Sequence, residues 1–150
     1  MEKIVVDSKQ CSGCRICEAV CSARQIDFQG FNRKQACIRV IFAGELEDDI
    51  RPVLCKQCKK PQCAKNCPTG SLIYEDGKVR LNKQTCIGCG VCAQDCPFGA
   101  IVLHPNAQEP YKCDLCAGEE DGPLCVQFCV TGALRFVDET AIGLVHGESI

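Results

Sequence analysis

Cysteine dominates the residues of this chain that could do chemistry. Seventeen of the 150 residues are cysteine, and all but Cys37 fall into four groups of four. Thiolates at such short spacings are ligands for soft or borderline metals. Groups one to four are, in order, Cys11, Cys14, Cys17 and Cys21; Cys55, Cys58, Cys63 and Cys67; Cys86, Cys89, Cys92 and Cys96; and Cys113, Cys116, Cys125 and Cys129.

The spacing within the groups indicates iron–sulfur clusters. Group three reads C-x2-C-x2-C-x3-C and is followed by Pro97, which is the complete pattern of bacterial ferredoxins with two [4Fe–4S] clusters. In that pattern three thiolates bind one cube, and the fourth, here Cys96, reaches a neighbouring cube. Group one has the same spacing without the proline, and groups two and four lengthen one interval to four and eight residues.

Structural zinc is the main alternative, because it also uses C-x2-C pairs. Three cysteines in immediate succession suit one face of a cube better than a zinc tetrahedron, but group four read alone would also pass as a zinc site. A disulfide scaffold is disfavoured by the odd cysteine count and by the absence of a signal-peptide-like start, so we expect a cytoplasmic location. Sixteen thiolates would close four cubes with no iron left open, which predicts electron transfer without catalysis.

Composition excludes two other classes of function. The formal net charge is −2 and there is no tryptophan, so neither a basic field nor stacking platforms point to nucleic acid. Apolar runs such as residues 40–43 are far too short to span a membrane.

Similar segments follow the last cysteine of three groups. They are Pro68–Leu72, Pro97–Ile101 and Val130–Leu134, and each leads into a predicted strand: residues 72–74, 101–103 and 134–137. Residues 72–81 read as two strands joined by an Asp-Gly turn, and 37–42 as a further strand. Short helices are predicted around residues 18–20, 64–66, 93–95 and 126–128. The fold class is therefore α+β, with small repeats around cysteine loops.

Over about residues 1–137 the chain resembles the four-cluster ferredoxin-type electron-transfer subunits of molybdenum or tungsten oxidoreductases, hydrogenases and carbon monoxide dehydrogenases. Dimethyl sulfoxide reductase and tungsten aldehyde oxidoreductase small subunits are examples. The most specific segments are Cys11–Glu18, Pro52–Cys58, Cys86–Cys92 and Lys112–Cys116. The chain departs from the family where Val130 and Ser22 replace the proline after a last cysteine.

The resemblance implies four [4Fe–4S] clusters and a ligand set for each. The residues themselves support only the pairing of groups two and three, through the intervening hairpin. The implied sets are set A, Cys11, Cys14, Cys17 and Cys129; set B, Cys21, Cys113, Cys116 and Cys125; set C, Cys55, Cys58, Cys63 and Cys96; and set D, Cys67, Cys86, Cys89 and Cys92.

The resemblance also implies two interlocked dicluster ferredoxin-like units, one inserted in the other. Residues 1–54 plus 97–137 form the outer unit, 55–96 the inserted unit, and 138–150 a tail that could bind a partner. The expected partners are a catalytic molybdenum or tungsten subunit, with tungsten aldehyde oxidoreductase as the best match, and a further electron donor or acceptor. A subunit of a hydrogenase, formate or carbon monoxide dehydrogenase complex, or a free polyferredoxin, is the alternative.

Two features lie outside the ligand sets. Cys37 falls in an apolar strand pattern, which predicts a buried, inert thiol. Four lysines surround group two and could offset the negative charge of bound clusters or dock an acidic partner: Lys56, Lys59, Lys60 and Lys65.

Overall fold

The computed structural model describes residues 1–104 and 107–139. The described residues form a small mixed α/β protein of six strands, four helices and two short 3₁₀ helices. The strands are β1 (Glu2–Val6), β2 (Ile38–Ala43), β3 (Asp49–Leu54), β4 (Leu72–Glu75), β5 (Lys78–Leu81) and β6 (Leu134–Asp138). The helices are α1 (Ile16–Gln25), α2 (Gln62–Lys65), α3 (Val91–Gln94) and α4 (Leu124–Gln127).

The strands form three antiparallel pairs. The pairs β2–β3 and β4–β5 are local, whereas β1 pairs with β6 from the other end of the described chain and sets Ile4 opposite Phe136. The predicted turn between β4 and β5 is confirmed, because Asp76 and Gly77 both have positive φ, at 50° and 77°. Two consecutive left-handed residues match the right-handed twist of a hairpin.

One strand prediction was wrong. Residues 101–103 form only an isolated bridge, between Val102 and Tyr111. A short apolar segment without a neighbouring strand cannot complete a ladder of hydrogen bonds. The other predicted strands and all four helices are present, with ends shifted by a few residues and with α1 much longer than the predicted single turn.

Two clusters of buried side chains make up the core. The larger joins Ile4, Cys17, Ile38, Val40, Leu54, Leu115, Cys125 and Leu134, and the smaller joins Leu72, Val79, Cys92 and Ile101. Cysteines belong to both, so the packed core and the cysteine loops are one structure.

A buried carboxylate fixes α1 against the β2–β3 pair. Glu18 is 2% exposed and accepts a hydrogen bond from the Val40 N–H at 2.7 Å. It also pairs with Arg15 at 3.1 Å and Arg33 at 2.6 Å. Its charge is therefore compensated within the fold, and the start of α1, which carries Cys17, is held in place.

The two ends of the described chain are tied together at the β1–β6 pair. The N-terminal ammonium of Met1 pairs with Asp138 at 3.0 Å, and Lys3 pairs with Glu139 at 2.8 Å. Apart from these two acidic residues, the predicted partner-binding tail, 138–150, lies outside the described residues. No helix in ranges 1–104 and 107–139 is long and apolar enough to cross a bilayer.

Candidate metal centres

The same backbone turn recurs in the first C-x2-C loop of each of the four groups. The third residue of each loop is left-handed: φ is 71° at Gly13, 47° at Gln57, 67° at Gly88 and 59° at Leu115. Two of these residues carry a side chain that disfavours this conformation, and such strain persists where the surroundings over-determine it, often at functional sites. The four loops are therefore one structural repeat, although their sequences differ.

A second turn recurs after the last cysteine of groups two, three and four. The N–H of Gly70, Gly99 and Gly132 donates to the carbonyl oxygen three residues earlier, at 3.0–3.2 Å. All three glycines have φ between 57° and 69°. A Cβ at Gly70 or Gly99 would meet no atom within 4 Å, so the backbone conformation rather than lack of space calls for glycine.

Three cavities are each lined by the four cysteines of one implied set, and Cys37 is a fifth cysteine in the second of them. The sets that line them are Cys11, Cys14, Cys17 and Cys129; Cys21, Cys113, Cys116 and Cys125; and Cys67, Cys86, Cys89 and Cys92. In each cavity a cysteine distant in the chain joins three that are closer together.

The remaining four grouped cysteines also interact with one another. Burial raises the pKa of Cys58, and the charges of Cys55 and Cys96 raise it further. Burial likewise raises the pKa of Cys63, with Cys55 and Cys96 again contributing. The structure therefore brings thiols from groups two and three together at this place.

Burial makes many of these thiols difficult to ionise. It raises the pKa of Cys17 to about 12, that of Cys92 to about 11 and that of Cys113 to about 12. Thiols with such raised pKa values become thiolates when a bound metal cation supplies the opposing charge. The donor chemistry thus fits a cationic, thiolate-bound group.

Hydrogen bonds to sulfur offset burial at other cysteines. Burial raises the pKa of Cys67, but the Leu72 N–H and the Thr69 hydroxyl outweigh it and lower that pKa to about 7. The Thr69 hydroxyl lies 3.6 Å from Cys67 Sγ, and the Thr131 hydroxyl lies 3.8 Å from Cys129 Sγ. Backbone N–H groups donate to three more sulfurs: Cys21, Cys96 and Cys113, at 3.3–3.4 Å.

The cavities suit a polynuclear centre. Within ranges 1–104 and 107–139, no group of three or more His, Cys, Asp or Glu side chains could hold a metal ion. The thiols of sets A, B and D instead line three separate cavities, four cysteines of one set to each. Thiolates around a cavity of this kind fit a [4Fe–4S] cube, whose four irons each take one cysteine.

Cysteines assigned to different sets influence one another's pKa at three places. The charge of Cys17 raises the pKa of Cys125, that of Cys55 raises the pKa of Cys113, and that of Cys63 raises the pKa of Cys92. Cys14 of set A and Cys89 of set D are exposed, and each of the four sets also has one buried cysteine: Cys17, Cys125, Cys55 and Cys92.

Cys37 is buried, as the sequence predicts, at 7% exposure. It also lines the cavity that contains Cys21 and donates from its backbone N–H to Cys21 Sγ at 3.3 Å. The apolar pattern around Cys37 carried no signal for this contact, which depends on how β2 packs against α1.

The sequence interpretation also missed Lys112 and Gln57 as residues of the metal centres. Both side chains are buried next to cysteine loops. Their nearest signal was the position of Lys112 just before Cys113. The lysines that the sequence singled out are exposed, and Lys59 pairs with Glu139 at 3.0 Å; their effect on cluster charge stays a prediction.

Comparison with known proteins identifies the family. The 4Fe-4S dicluster domain matches residues 46–139. Formate hydrogenlyase subunit 2 of Escherichia coli (strain K12) is 33% identical, with 95% of this chain and 84% of that protein covered. Electron transport protein HydN of the same strain is 31% identical, with 97% and 93% covered. The putative oxidoreductase AegA of that strain is 37% identical over 93% of this chain, which spans only 22% of its length.

A solved structure supports the same assignment. A chain of the active site complex BamBC of benzoyl coenzyme A reductase, with 1,5-dienoyl-CoA, is 28% identical and superposes with a TM-score of 0.56. The match covers 91% of this chain and 75% of that one. With the cysteine loops and their cavities, these similarities lead to one conclusion: the chain belongs to the 4Fe-4S dicluster ferredoxin-type family and is an iron–sulfur electron-transfer protein.

Proposed function

We propose that the chain holds four [4Fe–4S] clusters, one on each of sets A to D, and relays single electrons between a catalytic oxidoreductase subunit and a second redox partner. The observation that carries this proposal is the grouping of cysteines around the three cavities. Each cavity is lined by one complete set, A, B or D. The mutual effects of Cys55, Cys58, Cys63 and Cys96 on their pKa values support set C.

When bound, each cluster would supply a one-electron couple with all four irons ligated by the protein. The chain's own residues would tune that couple through the N–H groups and hydroxyls that face the sulfurs, as at Cys67 and Cys113. No residue in this arrangement is assigned as acid, base or nucleophile, so bond chemistry belongs to the partner.

Electrostatic effects between sets support a linear order A–B–C–D. The charge of Cys17 in set A acts on Cys125 in set B, and that of Cys55 in set C acts on Cys113 in set B. The charge of Cys63 in set C acts on Cys92 in set D. The exposed cysteines, Cys14 and Cys89, belong to the two terminal sets. Electrons would therefore enter at one end, through set A or set D, and leave at the other.

The strand pairs support the nested arrangement of two dicluster units. The β1–β6 pair closes an outer unit from both ends of the chain, 1–54 and 97–137, around the inserted unit. Ile101 packs with Leu72 and Val79 in the smaller core cluster. We therefore place the end of the inserted unit nearer residue 101 than residue 96.

The similarities favour a formate- or hydrogen-linked complex as the setting. Two relatives covered over more than four-fifths of their length are named as a formate hydrogenlyase subunit and an electron transport protein. Tungsten aldehyde oxidoreductase, the best match from sequence, stays the second candidate. We also infer a reducing compartment such as the cytoplasm, because none of the 17 cysteines, all within the described residues, forms a disulfide.

Anaerobic reductive titration of the intact protein, purified from its native cells, tests the proposal. We expect about four electrons taken up per chain, one for each of four clusters. We also expect a larger redox subunit to co-purify in fixed stoichiometry. Uptake of two electrons would contradict four clusters, and elution of the chain alone would favour a free polyferredoxin.

A further inference from the structure

Lys112 is a buried cation at the junction between the inserted and outer units. It is 9% exposed, and its Nζ lies 2.5 Å from the Val79 carbonyl oxygen and 2.6 Å from the Cys113 carbonyl oxygen. The Gln57 side-chain oxygen is the third acceptor, at 3.4 Å. Three acceptors and no donor match an ammonium, which has three N–H groups and nothing to accept with. The three acceptors therefore fix the position of the Lys112 ammonium at this junction.

The junction is fixed from both sides. Gln57 belongs to the loop of group two, yet it donates to the Cys113 carbonyl oxygen of group four at 3.0 Å. Its own oxygen accepts from the Val79 N–H at 2.9 Å. The ammonium of Lys112 consequently has little freedom to move away from the cysteine loops.

The ammonium of Lys112 lies against loops of two sets. Its Nζ lies 2.6 Å from the carbonyl oxygen of Cys113, which belongs to set B, and 3.4 Å from the side-chain oxygen of Gln57. Gln57 lies in the loop between Cys55 and Cys58, which belong to set C. In a low-dielectric interior a fixed charge acts more strongly than the same charge in water.

We propose that Lys112 is a positioning residue that makes the clusters of sets B and C easier to reduce, by holding one fixed positive charge between them. The inference rests on the proposed function, in which these two sets are neighbours in the relay. A one-electron reduction adds one negative charge to a cluster, and a nearby cation stabilises the reduced form without any proton being moved. Lys112 would thus favour passage of electrons across the junction between the two units.

The test compares Lys112→Gln with wild type in the full-length, cluster-loaded protein. Redox titration monitored by electron paramagnetic resonance should show the midpoint potentials of clusters B and C falling. We expect the equilibrium constant for one-electron reduction of each of these clusters to fall at least tenfold, which lowers its midpoint potential by about 59 mV. The potentials of clusters A and D should stay unchanged. Variants Cys21→Ala and Cys58→Ala assign the signals of sets B and C.

Two further variants serve as controls. Lys112→Arg keeps the positive charge, so the potentials of clusters B and C should stay close to their wild-type values. Lys60→Gln removes the same charge from an exposed side chain near group two, where water screens it, and should change the potentials far less. If Lys112→Gln fails to load with iron, Gln57→Glu replaces it in the test. A carboxylate next to the ammonium offsets its positive charge and should lower the midpoint potentials of clusters B and C.

The outcomes separate the two proposals. A Lys112→Gln protein with full iron content and unchanged potentials would overturn the role of Lys112 and leave the four-cluster relay intact. An equal shift of all four potentials would also overturn it, because that result indicates a general structural change. A wild-type protein that takes up only two electrons would instead refute the proposed function.

Discussion

Gln57 and Cys113 are 56 positions apart in the chain, and the side-chain amide of Gln57 donates to the Cys113 carbonyl oxygen at 3.0 Å. The same amide group accepts from the Val79 N–H through its oxygen. One buried side chain therefore ties the loop of group two, strand β5 and the loop of group four together. Gln57 is only 3% exposed, so water has little access to compete for these hydrogen bonds.

The substitution Gln57→Ala should destabilise the cluster-loaded protein. It leaves the buried Val79 N–H without its acceptor, which costs about 1–3 kcal/mol. We expect the apparent Tm, measured anaerobically, to fall by several degrees. Gln94→Ala, at an exposed position of α3, is the matched control and should stay within about 0.5 kcal/mol of wild type. Equal Tm values for the two variants would contradict the structural role of Gln57.

The assignment of ligands makes a prediction about pairs of cysteine substitutions. In the proposed assignment, Cys21 and Cys113 ligate the same cluster although they are distant in sequence. Cys17 and Cys21 are close in sequence but are proposed to ligate different clusters. Cys21→Ala combined with Cys113→Ala should therefore affect one cluster signal, and Cys17→Ala combined with Cys21→Ala should affect two. Counting resolved signals by electron paramagnetic resonance checks this.

Cys37 provides the control for the same experiment. Because it lies outside the four sets, Cys37→Ser should retain all four cluster signals even though Cys37 lines the cavity of set B. Loss of a cluster in Cys37→Ser, or of two clusters in the Cys21 and Cys113 double variant, would show that the ligand sets are wrong.

The threonine hydroxyls near sulfur should tune the terminal clusters. Thr69→Val removes the hydroxyl next to Cys67, and Thr131→Val removes the one next to Cys129. Hydrogen bonds to sulfur stabilise the added negative charge of the reduced state. We expect the midpoint potential of cluster D to fall in the first variant and that of cluster A in the second, each by less than about 59 mV, a factor of ten.

Phe98 occupies the equivalent position in the third repeat, two residues after Cys96. The substitution Phe98→Thr should therefore act in the opposite direction and raise the potential of cluster C. A redox titration that shows no change in any of these three variants would mean that the hydroxyls do not reach the sulfurs in solution.

Glu18 should be important for stability rather than for electron transfer. Glu18→Gln weakens a charge-assisted hydrogen bond to the buried Val40 N–H and breaks two ion pairs. The expected cost is about 1.5–3 kcal/mol, the value of a hydrogen bond to a charged group. Glu45→Gln, at an exposed position in the β2–β3 connection, should leave the apparent Tm unchanged. An unchanged Tm together with shifted midpoint potentials would argue against this assignment.

Local patterns predicted local structure well. The Asp76–Gly77 turn, its flanking strands and the short helices around the cysteine groups follow from residues close in the chain, and the structure contains them. The strand prediction for residues 101–103 failed because Ile101 packs into the smaller core cluster and Val102 forms only a single bridge to Tyr111. The β1–β6 pair had no local signal, since its strands are more than a hundred residues apart.

The candidate site was predictable only as far as its motifs. Cysteine spacing identifies iron–sulfur chemistry, because a tight loop can supply only part of a cube's ligands and must share the rest. The burial of Lys112 and Gln57 depends on how two distant loops meet, which no spacing encodes. The contact between Cys37 and Cys21 likewise arises from the packing of β2 against α1.

The most direct test of four [4Fe–4S] clusters is the metal and sulfide content of the anaerobically isolated protein. The account predicts about 16 iron atoms and about 16 acid-labile sulfides per chain, four of each for every cube, with no stoichiometric zinc. A content of about eight irons, or of two to four zinc ions without sulfide, would contradict it.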